Sequence, residues 1–129
     1  LLRDGPYANR EEEVMATWRK GIAAAAEQPN VVIKLGGIGM PRVGFDWHLR
    51  DTPIGSEELA KAMAPLVNYC IEQFGPNRCM FESNFPVDKV SYSYNVMYNA
   101  FKRLSKDHSA SERADMFHDT AARVYRIDV

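Results

Sequence analysis

Apolar residues along this chain keep two rhythms, a helical period and short unbroken runs, and the two alternate. Val14, Trp18, Ile22 and Ala25 recur at helical spacing, which predicts an amphipathic helix from Glu11 to about Gln28. The acidic run Glu11-Glu12-Glu13 suits its first turn, where the helix dipole favours negative charge, and Pro29-Asn30 stops it. Val31 to Leu35 is a β-branched run followed by Gly36-Gly37-Ile38-Gly39, a strand and then a sharp turn. Leu59, Met63, Val67 and Cys70 or Ile71 form a second helical stripe, entered at Ser56-Glu57-Glu58 and stopped at Gly75-Pro76. Pro65 interrupts that ladder and predicts a kink or two abutting helices near Ala64. Cys79 to Ser83 reads as the next strand. Strand, helix, strand argues for a parallel crossover.

The ends of the chain are simpler. Leu1 to Arg10, with Gly5, Pro6 and Asn9, reads as loop, as does Val87 to Ser93. Tyr94 to Leu104 reads as a helix with Ala100, Phe101 and Leu104 inward. Ser109-x-x-Glu112 is a capping box opening a last helix with Ala114, Phe117, Ala121, Val124 and Tyr125 on its stripe. His118 on that helix is expected to be structural or exposed.

Chemistry concentrates where the second strand ends, at Arg78 to Lys89. Alternation places Met80, Glu82 and Asn84 on one face and Cys79, Phe81 and Ser83 on the other. A carboxylate and an amide closing a buried strand either satisfy local backbone groups or line a site beyond the strand ends. Lys34 interrupts the first strand, and an interior strand rarely carries an unpaired lysine. It either pairs with a carboxylate such as Glu82 or binds an anionic substrate group. The glycines after it lack the G-x-G-x-x-G and GK[ST] patterns of a nucleotide cradle. Met40 to Gly55 is a long irregular stretch whose Trp47 and His48 could close over a small-molecule substrate. His48 can act as a general acid or base, or simply face solvent. Asp46 and His48 lack the spacing of a helical zinc pair, so no metal ligand is assigned.

Composition narrows the function classes. At 129 residues and a net charge of -1, the chain carries no charge signal for nucleic acid or an anionic membrane. No apolar run reaches the roughly 20 residues of a membrane span and no secretory leader is visible. A cytoplasmic location with Cys70 and Cys79 as free thiols is the expectation.

"CMFESNFPVDK", with "PNVVIKLGGIGMP" upstream and "AARVYRI" at the end, resembles the carboxyl-terminal part of the amidohydrolase-2 family of TIM-barrel hydrolases. That family is related to sugar-lactone and pyrone-dicarboxylate lactonases. The resemblance implies an α/β fold, a partial (β/α)8 barrel with the last two or so strands, their helices and a C-terminal helix. Residues 1–129 would be one fragment, and its opening on Leu1 fits a chain that has lost its beginning. It further implies a hydrolase of a small carbonyl substrate such as a lactone, with a divalent metal possible in the full-length parent. The family's strand-end aspartate, which activates water, corresponds to Asn84, and an amide cannot act as a base. Glu82 shares its face and could supply the carboxylate; Asp88 is another candidate. The isolated piece is expected to be inactive and to form a homo-oligomer that covers its open sheet edges. The competing reading is a non-catalytic α/β assembly module.

Overall fold

The computed structural model describes residues 5–128; of the loop expected at the start, Leu1 to Asp4 lie outside the described residues. Strand β1 (Ile33–Leu35) pairs in parallel with β2 (Cys79–Phe81), setting Ile33 opposite Cys79, Lys34 opposite Met80 and Leu35 opposite Phe81. The helix α1 (Glu11–Ala26) precedes β1, and α2 (Ser56–Phe74) makes the crossover between the strands. The helix α3 (Tyr94–Leu104) follows β2. Then come α4 (Ala110–Ala114), a π-helical turn at Asp115–Asp119 and α5 (Thr120–Tyr125). Both strands are shorter than the apolar runs suggest, because the glycines after Leu35 and the turn after Phe81 lead the chain away.

The two faces of this small sheet differ. Leu35, Cys79 and Phe81 join the core with Leu59, Met63, Val67, Ile71 and Phe74 of α2 and Met97, Ala100 and Phe101 of α3. Phe81 stacks on Phe101 with centroids 4.4 Å apart and meets Phe117 at 4.7 Å. In-register pairing puts Lys34, Met80 and Glu82 on the opposite face. That is the face that closes on itself in a complete barrel.

Pro65 does not divide α2, which is one continuous helix. Pro65 and Lys61 are both exposed, so the carbonyl that loses its donor meets water. The capping box forms as expected, with Ser109 Oγ accepting from Glu112 N–H and the Glu112 carboxylate from Ser109 N–H. The single last helix expected after it is interrupted by the π turn, which buries Met116. Helix α1 carries no fully buried residue; Trp18, Ile22, Ala25 and Ala26 lean on the core half-buried. Its end is fastened by Arg78, whose guanidinium donates to the carbonyls of Ala26, Gln28 and Phe74, each at 2.9 Å. Cys70 and Cys79 are free and buried.

Candidate functional site

The carboxyl ends of β1 and β2 bring together the two charges that the sequence separates by nearly fifty positions. Lys34 Nζ lies 2.6 Å from Glu82 Oε2, with the side chains 49% and 26% exposed. The pair is therefore open to a ligand and not sealed as a core ion pair. Hydrogen bonding to Glu82, then its charge, raises the Lys34 pKa above the ordinary lysine value, so the ammonium stays protonated at any physiological pH. Glu82 reaches this position because its N–H donates to the Leu35 carbonyl, one step past the ladder. Gly36 leaves room for it: a Cβ there would stand 2.3 Å from Glu82 Cγ. Tyr98 stands at the edge of this field. Burial first, then hydrogen bonding with Tyr94, pushes its phenol up to about 12, and the Glu82 charge adds to the shift.

Asn84 sits in the left-handed region at φ 51, which asparagine tolerates better than most residues. Its Nδ2 donates to Asp88 Oδ1 at 2.7 Å. Asp88 was a candidate for the missing carboxylate, and the structure corrects this. Asp88 is fully buried and also accepts from Gly39 N–H and the Tyr92 hydroxyl. A carboxylate enclosed by three donors is not placed to take a proton from water.

The irregular stretch contains two short 3-10 turns, Pro41–Val43 and Trp47–Leu49. Trp47, expected in a covering loop, is 7% exposed and stacks on Phe45 with centroids 4.4 Å apart. Its ring anchors the loop in the core and does not sweep over the rim. His48 is half-buried, and its Nδ1 is enclosed without a hydrogen-bond partner. His118 is exposed and pairs with Asp119.

What the sequence reading missed is the Asp88–Tyr92–Gly39 network. The only local signal was the four-residue spacing of Asn84, Asp88 and Tyr92. A divalent metal does not fit the described residues alone. Among them no three His, Cys, Asp or Glu side chains gather. Also among the described residues, no helix is long and apolar enough to cross a membrane.

Comparison with known proteins adds the following. The family described as Amidohydrolase matches residues 5–127. The uncharacterized protein y4mH of Sinorhizobium fredii is 40% identical over 110 residues, covering 85% of this chain and 33% of that protein. The L-fucono-1,5-lactonase of Burkholderia multivorans is 30% identical over 122 residues, covering 92% of this chain and 38% of that enzyme. A crystal structure of a Burkholderia multivorans amidohydrolase with bound HEPES superposes with a TM-score of 0.78 at 28% identity, covering 95% of this chain and 40% of that one. A second crystal structure, with bound zinc, gives 0.74 at 29% identity over 88% and 38%. The chain thus spans about a third to two-fifths of the length of these relatives. Its two parallel strands and crossover helix are part of an amidohydrolase barrel.

Proposed function

The chain belongs to the amidohydrolase family, and on that premise we propose that it forms the last part of a longer barrel that hydrolyses a small lactone. The observation that carries this reading is the accessible Lys34–Glu82 pair at the carboxyl ends of two parallel strands, where ligands of such barrels gather. The kinship with an L-fucono-1,5-lactonase supports a sugar-derived substrate, and the Lys34 ammonium suits one bearing a carboxylate.

In this scheme water attacks the lactone carbonyl carbon, the ring C–O bond breaks, and Glu82 carries the water's proton to the departing alkoxide. Lys34 steadies the Glu82 charge or the substrate's own. Asn84 holds the water or a substrate hydroxyl, and the loop bearing His48 and anchored by Trp47 covers the site. The outer edges of the two-stranded sheet need partners, supplied by the rest of the barrel or, in the isolated piece, by another copy.

The test is pH-stat hydrolysis of sugar-derived lactones by the full-length parent. Glu82→Gln should lower kcat by about 10²-fold or more, and the 129-residue piece should show no turnover. Turnover by the purified piece that Asn84→Ala abolishes would overturn the second expectation. That Asn84, an amide, stands where the family's water-activating aspartate is expected favours a second reading, a non-catalytic barrel module. A full-length parent that opens no lactone would establish it over the first.

A further inference from the structure

Asp88 is the one fully buried charged side chain among the described residues, and the scheme above gives it no task. Its Oδ1 accepts from Asn84 Nδ2 at 2.7 Å, and its Oδ2 accepts from Tyr92 Oη at 2.8 Å and Gly39 N–H at 3.1 Å. Ser91 Oγ donates to the Gly39 carbonyl, so the loop after β1 is tied on both sides to the turn after β2. Every partner of Asp88 is a donor. Tyr92 holds its proton, because burial and then the Asp88 carboxylate push its pKa up.

These contacts dictate which end of the Asn84 amide faces inward. A carboxylate with only lone pairs to present repels the amide oxygen and accepts from the NH2. Flipping the amide would set two acceptor oxygens about 2.7 Å apart inside the protein wall, a contact as costly as leaving buried groups unpaired. Asn84 Oδ1, by contrast, accepts no hydrogen bond from any described residue and is not sealed off. Aspartate at the same place would press two carboxylates together, and one would have to take a proton.

We propose that Asp88 is a positioning residue: it turns the Asn84 NH2 into the wall, leaves Oδ1 as a neutral acceptor at the rim, and thereby makes asparagine, not aspartate, the residue this site holds. The group received there is a hydrogen-bond donor, a water or a substrate hydroxyl. The rim location rests on the functional reading above; the Asn84–Asp88 dependence does not.

The test uses the full-length protein with Asn84→Asp, Asn84→Ala, Asp88→Asn and the swap Asn84→Asp/Asp88→Asn, each melted between pH 4 and pH 8. The shared proton raises the folded-state pKa of the carboxylate pair in Asn84→Asp, so its stability is kept at low pH and lost as pH rises. That variant should melt close to the wild type near pH 4 and fall by more than about 5 °C towards pH 8. Asn84→Ala should lose stability without that slope. The swap should recover at least half of the loss at pH 8, because the new amide at 88 donates to the new carboxylate at 84. In 15N spectra the Asn84 side-chain NH2 should exchange slowly with solvent, and Asp88→Asn should remove that protection.

An Asn84→Asp variant that melts with no pH slope overturns the proposal. So does a swap no more stable than the worse single variant, or an Asn84 NH2 that exchanges as fast in the wild type as in Asp88→Asn. A wild type that hydrolyses no lactone defeats the functional reading instead, and leaves these readouts to decide the positioning role.

Discussion

Replacing Gly36 with alanine should damage the candidate site through a backbone contact and not through charge. An added Cβ would stand 2.3 Å from Glu82 Cγ and 2.6 Å from the Glu82 carbonyl oxygen. The side chain can turn aside. The carbonyl cannot easily do so, because the same residue's N–H is bonded to the Leu35 carbonyl at 3.3 Å. Overpacking of this kind costs about 1–3 kcal/mol. Displacing Glu82 from a pair as exposed as Lys34–Glu82 adds less than about 1 kcal/mol. The lower entropy of the unfolded alanine chain offsets about 0.4–1 kcal/mol. The expected net loss is about 1–3 kcal/mol, read as a lower urea midpoint by far-UV circular dichroism with an unchanged slope. Glu82→Ala removes the Cγ contact but leaves the carbonyl, so the double variant Gly36→Ala/Glu82→Ala should keep about half of the loss or more. A Gly36→Ala protein within about 0.5 kcal/mol of wild type would refute the steric argument. Complete rescue by Glu82→Ala would refute the role given to the carbonyl.

Three further outcomes follow from other contacts. Arg78→Ala should cost about 2–3 kcal/mol in the same unfolding assay, because it strips donors from carbonyls at the end of α1 and of α2 at once. Arg78→Lys should recover less than half of it, since one ammonium cannot span the fork. Burial pushes the Cys70 and Cys79 thiols up to about 11 and 12, so a thiol reagent at pH 8 should label the native protein at least about 100-fold more slowly than the unfolded chain; equal rates would show the thiols are open. The Lys34 pKa is raised in the folded state by Glu82. Its stabilisation is therefore complete below the unfolded lysine value near 10.4 and fades as pH rises through the folded one. At this exposure it amounts to less than about 1 kcal/mol, and Lys34→Met should flatten that alkaline slope of the melting temperature.

Local signals carried the secondary structure further than they carried the site. Tyr94–Leu104 and the Ser109 capping box stand where the pattern puts them, because caps and stripes act within one turn. The Lys34–Glu82 contact was one of two alternatives the sequence left open, the other being an anionic substrate group, and Glu82 is the carboxylate that meets Lys34. Trp47 was not legible: a glycine- and proline-rich neighbourhood says loop, while the burial of its ring depends on Phe45 and Tyr92 meeting it. The role of Asp88 was equally hidden, because Gly39 reaches it from 49 residues away. Pro65 does not divide α2 into two helices, and the carbonyl it leaves without a donor belongs to Lys61, an exposed residue.

The Lys34–Glu82 contact has one more consequence, for how two strands of three residues keep their alignment. Few backbone bonds hold them, yet sliding β1 by a single residue would drive the Lys34 ammonium into the space where Leu35 is 4% exposed and strand Glu82 without a countercharge. The cation thus works as an error check on assembly: any slip by an odd number of residues turns it from the open face to the packed one and must bury it.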